Sequence, residues 1–222
     1  MNRLLLLTVF FLAAASLLPA VPLPCPTAAT VPAATLQTLI DLSGAGNGCI
    51  SQDKIFNNFS YNPLGGSVLA SGVSVDLVLT QGGSDDIHGW LFAPISGGTW
   101  TTGFTLGYSV EITGNPTWAI VGSKDQINTG FVPNSVVATD VQSVGTLTTR
   151  GILGQEAAQI AYNGVQSLST FTTVVIPAGQ GNTVLSYEQE WRQTAIPEPM
   201  TFVLIGTGLL GLGILGRRRA QK

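Results

Sequence analysis

Residues 103–112 read GFTLGYSVEI, with Phe104, Leu106, Tyr108, Val110 and Ile112 alternating with Thr105, Gly107, Ser109 and Glu111. A period of two puts one set of side chains on each face of an extended strand, whereas a helix needs apolar residues three and four apart. The segment SGVSVDLVL (71–79) repeats the pattern, with Val73, Val75, Leu77 and Leu79 sharing a face. Working outward, further strands are expected in KIFNNFSY (54–61), HGWLFA (88–93), TWAIVGS (117–123), SVVATDVQSVGTL (135–147), AAQIAY (157–162), LSTFTTVVIPA (168–178) and TVLSYEQEW (183–191). Gly, Pro, Asn and Asp punctuate them as turn residues do. One short helix is expected in PAATLQTLIDL (32–42), where Leu36, Leu39 and Ile40 fall on one face and Gly44 follows as a stop. Nine or so strands without intervening helices predict an all-β fold: a single jelly-roll-like β-sandwich with a short N-terminal helix.

The chain has 222 residues, 45% of them apolar and only 9% charged, enough for one well-buried core and too few for several domains. Its N-terminus places Arg3 before the apolar run LLLLTVFFLAAASLL and the small, turn-prone PAVPLP. That pattern reads as a signal peptide over residues 1–20 with cleavage after Ala20; the run is short for a retained anchor, and PLPC lacks the small residues a lipidated Cys25 would need before it. Between residues 21 and 198, four cations (Lys54, Lys124, Arg150, Arg192) stand against twelve acids, a net charge of −8. An acidic surface repels phosphate backbones, so nucleic acid is disfavoured as a partner.

The other cations cluster at the ends. Residues 197–222 read PEPMTFVLIGTGLLGLGILGRRRAQK, with 17 uncharged residues from Met200 to Gly216. As a helix these span about 25 Å, just enough to cross a bilayer. Arg217, Arg218 and Arg219 would hold the end in the cytoplasm and leave the preceding domain outside. Pro197, Glu198 and Pro199, the apolar run and the arginine cluster together resemble the PEP-CTERM sorting domain of exported bacterial proteins. That resemblance implies recognition and removal of the tail by an exosortase, a membrane-embedded cysteine transpeptidase, and delivery to the cell surface or extracellular matrix. A signal peptide at 1–20, an ectodomain at 21–194 and a sorting signal at 195–222 with a transmembrane helix at 200–216 are therefore expected. A retained single-span anchor is the alternative.

Export also bears on Cys25 and Cys49, the only cysteines, because an oxidising compartment favours their pairing; two free buried thiols are the alternative. The stretch from Cys25 through TLQTLIDL to GNGCISQDKIFNNFSY is similar to the start of a recurring group of PEP-CTERM proteins, which supports the disulfide.

Catalytic chemistry is poorly signalled. His88 is the only histidine; Asp85 and Asp86 precede it, but no serine elbow accompanies it, and a strand-entry histidine beside a solvated turn is the expected role. With one imidazole and cysteines at disulfide spacing, no zinc site is expected. QGGSDD (81–86) offers oxygen ligands for calcium but lacks an EF-hand pattern, so it reads as a hydrophilic turn. Asn58 sits in a formal NFS sequon and is expected at a turn or strand edge. Trp90, Trp100, Trp118 and Trp191 could stack on sugars, although aromatic residues in short strands are more often core. The reading is a non-enzymatic, cofactor-free exported protein with a structural or adhesive role in a biofilm or exopolysaccharide matrix. A carbohydrate-binding module acting on exopolysaccharide is the main alternative, and a glycoside-acting enzyme using Asp85, Glu111, Glu188 or Glu190 a more distant one.

Overall fold

The structure is a computed structural model describing residues 21–26, 34–46, 48–65, 68–82, 85–114, 117–131, 136–150, 156–178, 181–195 and 207. In chain order its elements are β1 (Leu23–Pro24), helix α1 (Leu36–Gly44), β2 (Cys49–Ser51), β3 (Lys54–Pro63), β4 (Val73–Gly82), β5 (Asp85–Pro94), β6 (Phe104–Ile112), β7 (Trp118–Phe131), β8 (Val137–Gln142), β9 (Gly145–Arg150), β10 (Glu156–Val165), β11 (Ser167–Val175) and β12 (Thr183–Ala195). They form a seven-stranded sheet in the order β1-β2-β3-β6-β11-β8-β9 and a five-stranded sheet in the order β10-β7-β12-β5-β4. The chain keeps changing sheet as it advances, which gives the sandwich its jelly-roll-like connectivity. The expected all-β sandwich with a short N-terminal helix is what the chain forms.

The alternation that opens the sequence holds in three dimensions. Phe104, Leu106, Tyr108, Val110 and Ile112 all point inward from β6 and are buried. Val73 and Val75 are buried on β4, while Leu79, near the end of the strand, is exposed. Across the sheets Phe56 meets Trp90 edge-on at 5.2 Å and Trp191 meets Tyr108 edge-on at 5.3 Å, while Phe59 stacks on Tyr108 at 5.0 Å within the seven-stranded sheet. Such pairs add about 0.5–1.5 kcal/mol each beyond the area they bury.

Helix α1 begins where Thr35 caps it, its hydroxyl accepting from the Thr38 amide, and buries Leu36 and Leu39 against the core. Gly44 is its last residue; the left-handed turn that ends it falls at Gly46 (φ 78°). β1 and β2 are an addition to the expected strands: a short parallel pair matching Leu23 with Cys49 and Pro24 with Ile50. The disulfide Cys25–Cys49 fastens this pair.

Two expected strands depart most from their expected limits. SVVATDVQSVGTL divides into β8 and β9, turning at Ser143 and Val144. β7 runs eight residues beyond Ser123 because Lys124–Phe131 continue pairing with β12, polar residues included. Asn58 lies at a bulge inside β3, where the pairing with β6 shifts between Asn57 and Ser60, and its left-handed backbone (φ 58°) suits Asn.

Gly89 on β5 is fixed by close approach. A Cβ there would lie 2.4 Å from the carbonyl oxygen of Gln189 and 2.9 Å from Cα of Glu190 on β12. Gly89→Ala is therefore expected to push β5 from β12 and lower stability by about 1–3 kcal/mol, the usual range for overpacking. Urea unfolding checks this, and an unchanged midpoint would contradict the packing described.

Candidate functional site

The half of the interior beneath β8 and β9 is polar rather than aromatic. Val136, Ala138, Asp140 and Gln142 share the inward face of their strand, and all four are buried. Asp140 is a hub with four donors: Oδ1 accepts from the hydroxyls of Thr170 and Thr172 (the latter at 3.0 Å), and Oδ2 accepts from Nε2 of Gln142 (2.6 Å) and Gln189 (2.7 Å). The network continues outward, since Tyr108 donates its hydroxyl to Oε1 of Gln189, Ser123 donates to Oε1 of Gln142 at 2.9 Å, and the hydroxyls of Thr172 and Tyr187 lie 3.0 Å apart. Asp140 and Gln142 come from the seven-stranded sheet and Gln189 from the five-stranded one, so the hub joins the two layers.

A second acid stands beside the first. Asp125 on β7 is directly opposite Gln189 on β12 and fully buried. Burial, followed by the nearby Asp140, pushes its carboxyl well above the usual carboxylate range; Gln189 and Tyr187 offset this in part. Its oxygens lack hydrogen bonds of good geometry, whereas Asp140 fills all four acceptor positions of a carboxylate. Burial raises Asp140 as well, against the pull of Thr170, Gln142, Thr172 and Gln189. Both carboxyls are thus pushed toward the neutral form, Asp125 without donors on its oxygens and Asp140 with four donors that favour its charged form.

His88 departs from expectation. It is buried on the inner face of β5 opposite Trp191, not beside a solvated turn, and neither ring nitrogen has a hydrogen-bond partner. Burial, with Lys54 close by, lowers its pKa to about 4, so the ring is neutral at ordinary pH. Lys54 is buried too and pairs with Asp53; desolvation lowers its pKa. His88 and Lys54 are both wholly buried, and the Asp53 side chain that pairs with Lys54 is 27% exposed.

The outward face of the five-stranded sheet carries an open cleft of about 470 Å³, lined by Ile87, Lys124, Gln159, Ile160, Glu190 and Arg192 among others. Lys124 pairs with Glu190 at 3.0 Å. Glu188, two residues along the same strand face, has a raised pKa through partial burial and its hydrogen bond to Glu190, with Lys124 opposing. The structure thus brings Glu188 and Glu190 together but leaves Glu111 exposed on β6 of the other sheet. The side chain of Asp85 lies outside the described residues, as do residues 83 and 84 of the QGGSDD turn. Among the described residues no group of three or more His, Cys, Asp or Glu could hold a metal. Trp90, Trp100 and Trp191 are buried in the core, which removes three of the four tryptophans from any sugar-stacking surface. Trp118 is partly buried against that core.

The sorting residues Pro197, Glu198, Pro199, Arg217, Arg218 and Arg219 lie outside the described residues, as does the expected signal peptide. Residues 195–219 match the PEP-CTERM protein-sorting motif. The chain carries a PEP-CTERM sorting signal. That signal implies an exported, envelope-targeted protein with an exosortase as sorting partner. Among the described residues no helix is long and apolar enough to cross a membrane; the expected span at 200–216 lies outside them apart from Thr207.

A comparison with curated proteins finds no match. Among solved structures, FlhE shares 6% identity over 50% of this chain and 97% of its own, with a TM-score of 0.32. The carbohydrate-binding module TmCBM61, solved with β-1,4-galactotriose, shares 12% over 63% of this chain and 88% of its own, with a TM-score of 0.29. A family 11 carbohydrate-binding module from Clostridium thermocellum shares 9% over 64% and 91%, with a TM-score of 0.24. Likenesses this distant carry no argument about activity.

Asp125, Asp140, Gln189, Thr170 and Tyr108 are not legible as a group in the sequence. The available signal was parity: Asp140 shares its face with Val136 and Ala138, and Asp125 shares its face with Ile127. An acid on a core-facing parity is a buried acid.

The raised pKa of Asp125 has a pH signature. Its folded pKa lies above its unfolded one, so the unfolded chain ionises first and stability falls as pH rises from about 4 toward the folded value. Asp125→Asn removes that loss. Each unit of difference is worth about 1.4 kcal/mol, or roughly 3–5 °C for a domain of this size. The variant is expected to melt several degrees above wild type at pH 7, with the gap closing near pH 4; differential scanning calorimetry at both values is the check, and an equal or lower melting temperature at pH 7 would contradict it.

Proposed function

We propose that residues 21–194 are the delivered part of an exported surface protein, that residues 195–222 are a removable address, and that the delivered domain has a structural or adhesive role in the envelope or exopolysaccharide matrix. The observation that carries this reading is the PEP-CTERM match at residues 195–219, which starts where β12 ends at Ala195. Each part of the address has its own physical work. The two prolines flanking Glu198 lack backbone donors and disfavour a helix there, which suits a segment that a protease must bind. The apolar run from Met200 to Gly216 partitions into lipid, and the three arginines keep the end in the cytoplasm. A signal peptide at residues 1–20 starts the same route. The Cys25–Cys49 disulfide suits a domain that matures in an oxidising compartment.

A host with the processing enzyme tests the address by intact-mass analysis of membrane and released fractions. Wild type is expected to lose residues 200–222, and Glu198→Ala to accumulate uncut in the membrane fraction. Wild-type protein that keeps these residues in both fractions would make the chain an ordinary tail-anchored protein.

The cleft on the five-stranded sheet favours a second reading, recognition of exopolysaccharide. Glu190, Lys124, Gln159 and Arg192 line the cleft beside the apolar Ile87, and their charged and amide groups can exchange hydrogen bonds with sugar hydroxyls. A glycan array probed with wild type and Glu190→Gln decides it. Binding lost in the variant supports the cleft, and no binding by wild type leaves the structural role alone.

A further inference from the structure

We propose that Thr170 and Gln189 join in an intramolecular ester that covalently links the two sheets. The geometry supplies each part of an acyl transfer. The nucleophile is the Thr170 hydroxyl on β11, whose proton is directed at Oδ1 of Asp140 and whose oxygen lies 2.9 Å from Nε2 of Gln189. The acyl group is the side-chain amide of Gln189 on β12, in the opposite sheet. Cδ of Gln189 is one bond beyond the nitrogen that donates to Thr170, so the hydroxyl lies beside the amide in its plane, and a turn of the amide about its last side-chain bond is the movement that presents the face of Cδ to it.

The other groups stand where the charges would develop. Tyr108 donates its hydroxyl to Oε1 of Gln189, the oxygen that becomes negative in a tetrahedral intermediate. Asp140 touches both reactants, accepting from Thr170 on Oδ1 and from the Gln189 nitrogen on Oδ2. It can therefore take the proton at one oxygen and return it at the other. A carboxylate raised by burial is also a stronger base than one in water.

The step balances without any co-reactant. Thr170 Oγ1 bonds to Cδ of Gln189 as its proton passes to Asp140, and the negative Oε1 is held by Tyr108. The Cδ–Nε2 bond then breaks, Asp140 returns the proton to the departing nitrogen, and ammonia leaves. The products are a Thr170–Gln189 ester and free ammonia; nothing is oxidised or reduced. Thr170, Asp140, Gln189 and Tyr108 are all buried, so water neither competes with the hydroxyl nor reaches the ester afterwards.

Mass spectrometry of the full chain recovered from an exporting host reads the outcome. Trypsin leaves residues 151–192 as one peptide, bounded by Arg150 and Arg192. With the ester it is expected about 17 Da light, the mass of the ammonia released. Cleavage after Phe171 and Tyr187 should leave the pieces holding Thr170 and Gln189 attached to each other, which separates the ester from loss of ammonia at Asn163–Gly164 within the same peptide. Hydroxylamine should release them, leaving a hydroxamate on residue 189. Thr170→Val should give full mass and Thr170→Ser should restore the link; Tyr108→Phe should slow it, leaving a larger fraction at full mass. Folded wild-type protein with a full-mass peptide and separable pieces would overturn the proposal, as would a light peptide that persists in Thr170→Val.

Discussion

The four hydrogen bonds to Asp140 are the interaction on which the alignment of this sandwich depends, and the proposed ester would exchange the two from Thr170 and Gln189 for a covalent tie between the same two strands. A carboxylate buried without donors costs several kcal/mol, and removing one partner from a buried network leaves the remaining atoms unsatisfied. Thr170, Thr172 and Gln142 on the seven-stranded sheet and Gln189 on the other must therefore all keep their register. An apolar interior of equal volume would tolerate sliding of one sheet over the other. This one does not, because a slip of one residue would turn Gln189 outward and leave the acid unpaired.

The interior is divided accordingly. Under β3, β5 and β6, aromatic contacts such as Phe56–Trp90 and Phe59–Tyr108 supply non-directional burial. Under β7, β8 and β11, directional hydrogen bonds specify position. Tyr108 belongs to both regions, its ring stacked on Phe59 and its hydroxyl bound to Gln189. The aromatic half stabilises the sandwich, and the polar half fixes how its sheets are aligned.

That division also explains what the sequence revealed. Where inward residues are apolar, as in β6, alternation alone identifies the strand and its buried face. β7 was legible only to Ser123, because the inward Asp125 and outward Lys124 and Gln126 erase the contrast on which alternation relies. His88 was misjudged for a related reason: a titratable residue next to acids looks solvated in sequence, but parity with Trp90 and Phe92 placed it inside. The tail was legible because its three features are local and contiguous. The polar hub was not, because its members are brought together only by strand pairing and by the packing of one sheet on the other.

The position of β12 has a mechanical consequence. It lies in the middle of the five-stranded sheet, paired with β7 on one side and β5 on the other, and its last residue, Ala195, is still paired with Trp118 where the sorting signal begins. Tension applied through the tail would pull β12 along its own axis. Its ladders would then bear the load in shear, many bonds at once, instead of peeling open one by one as an edge strand does.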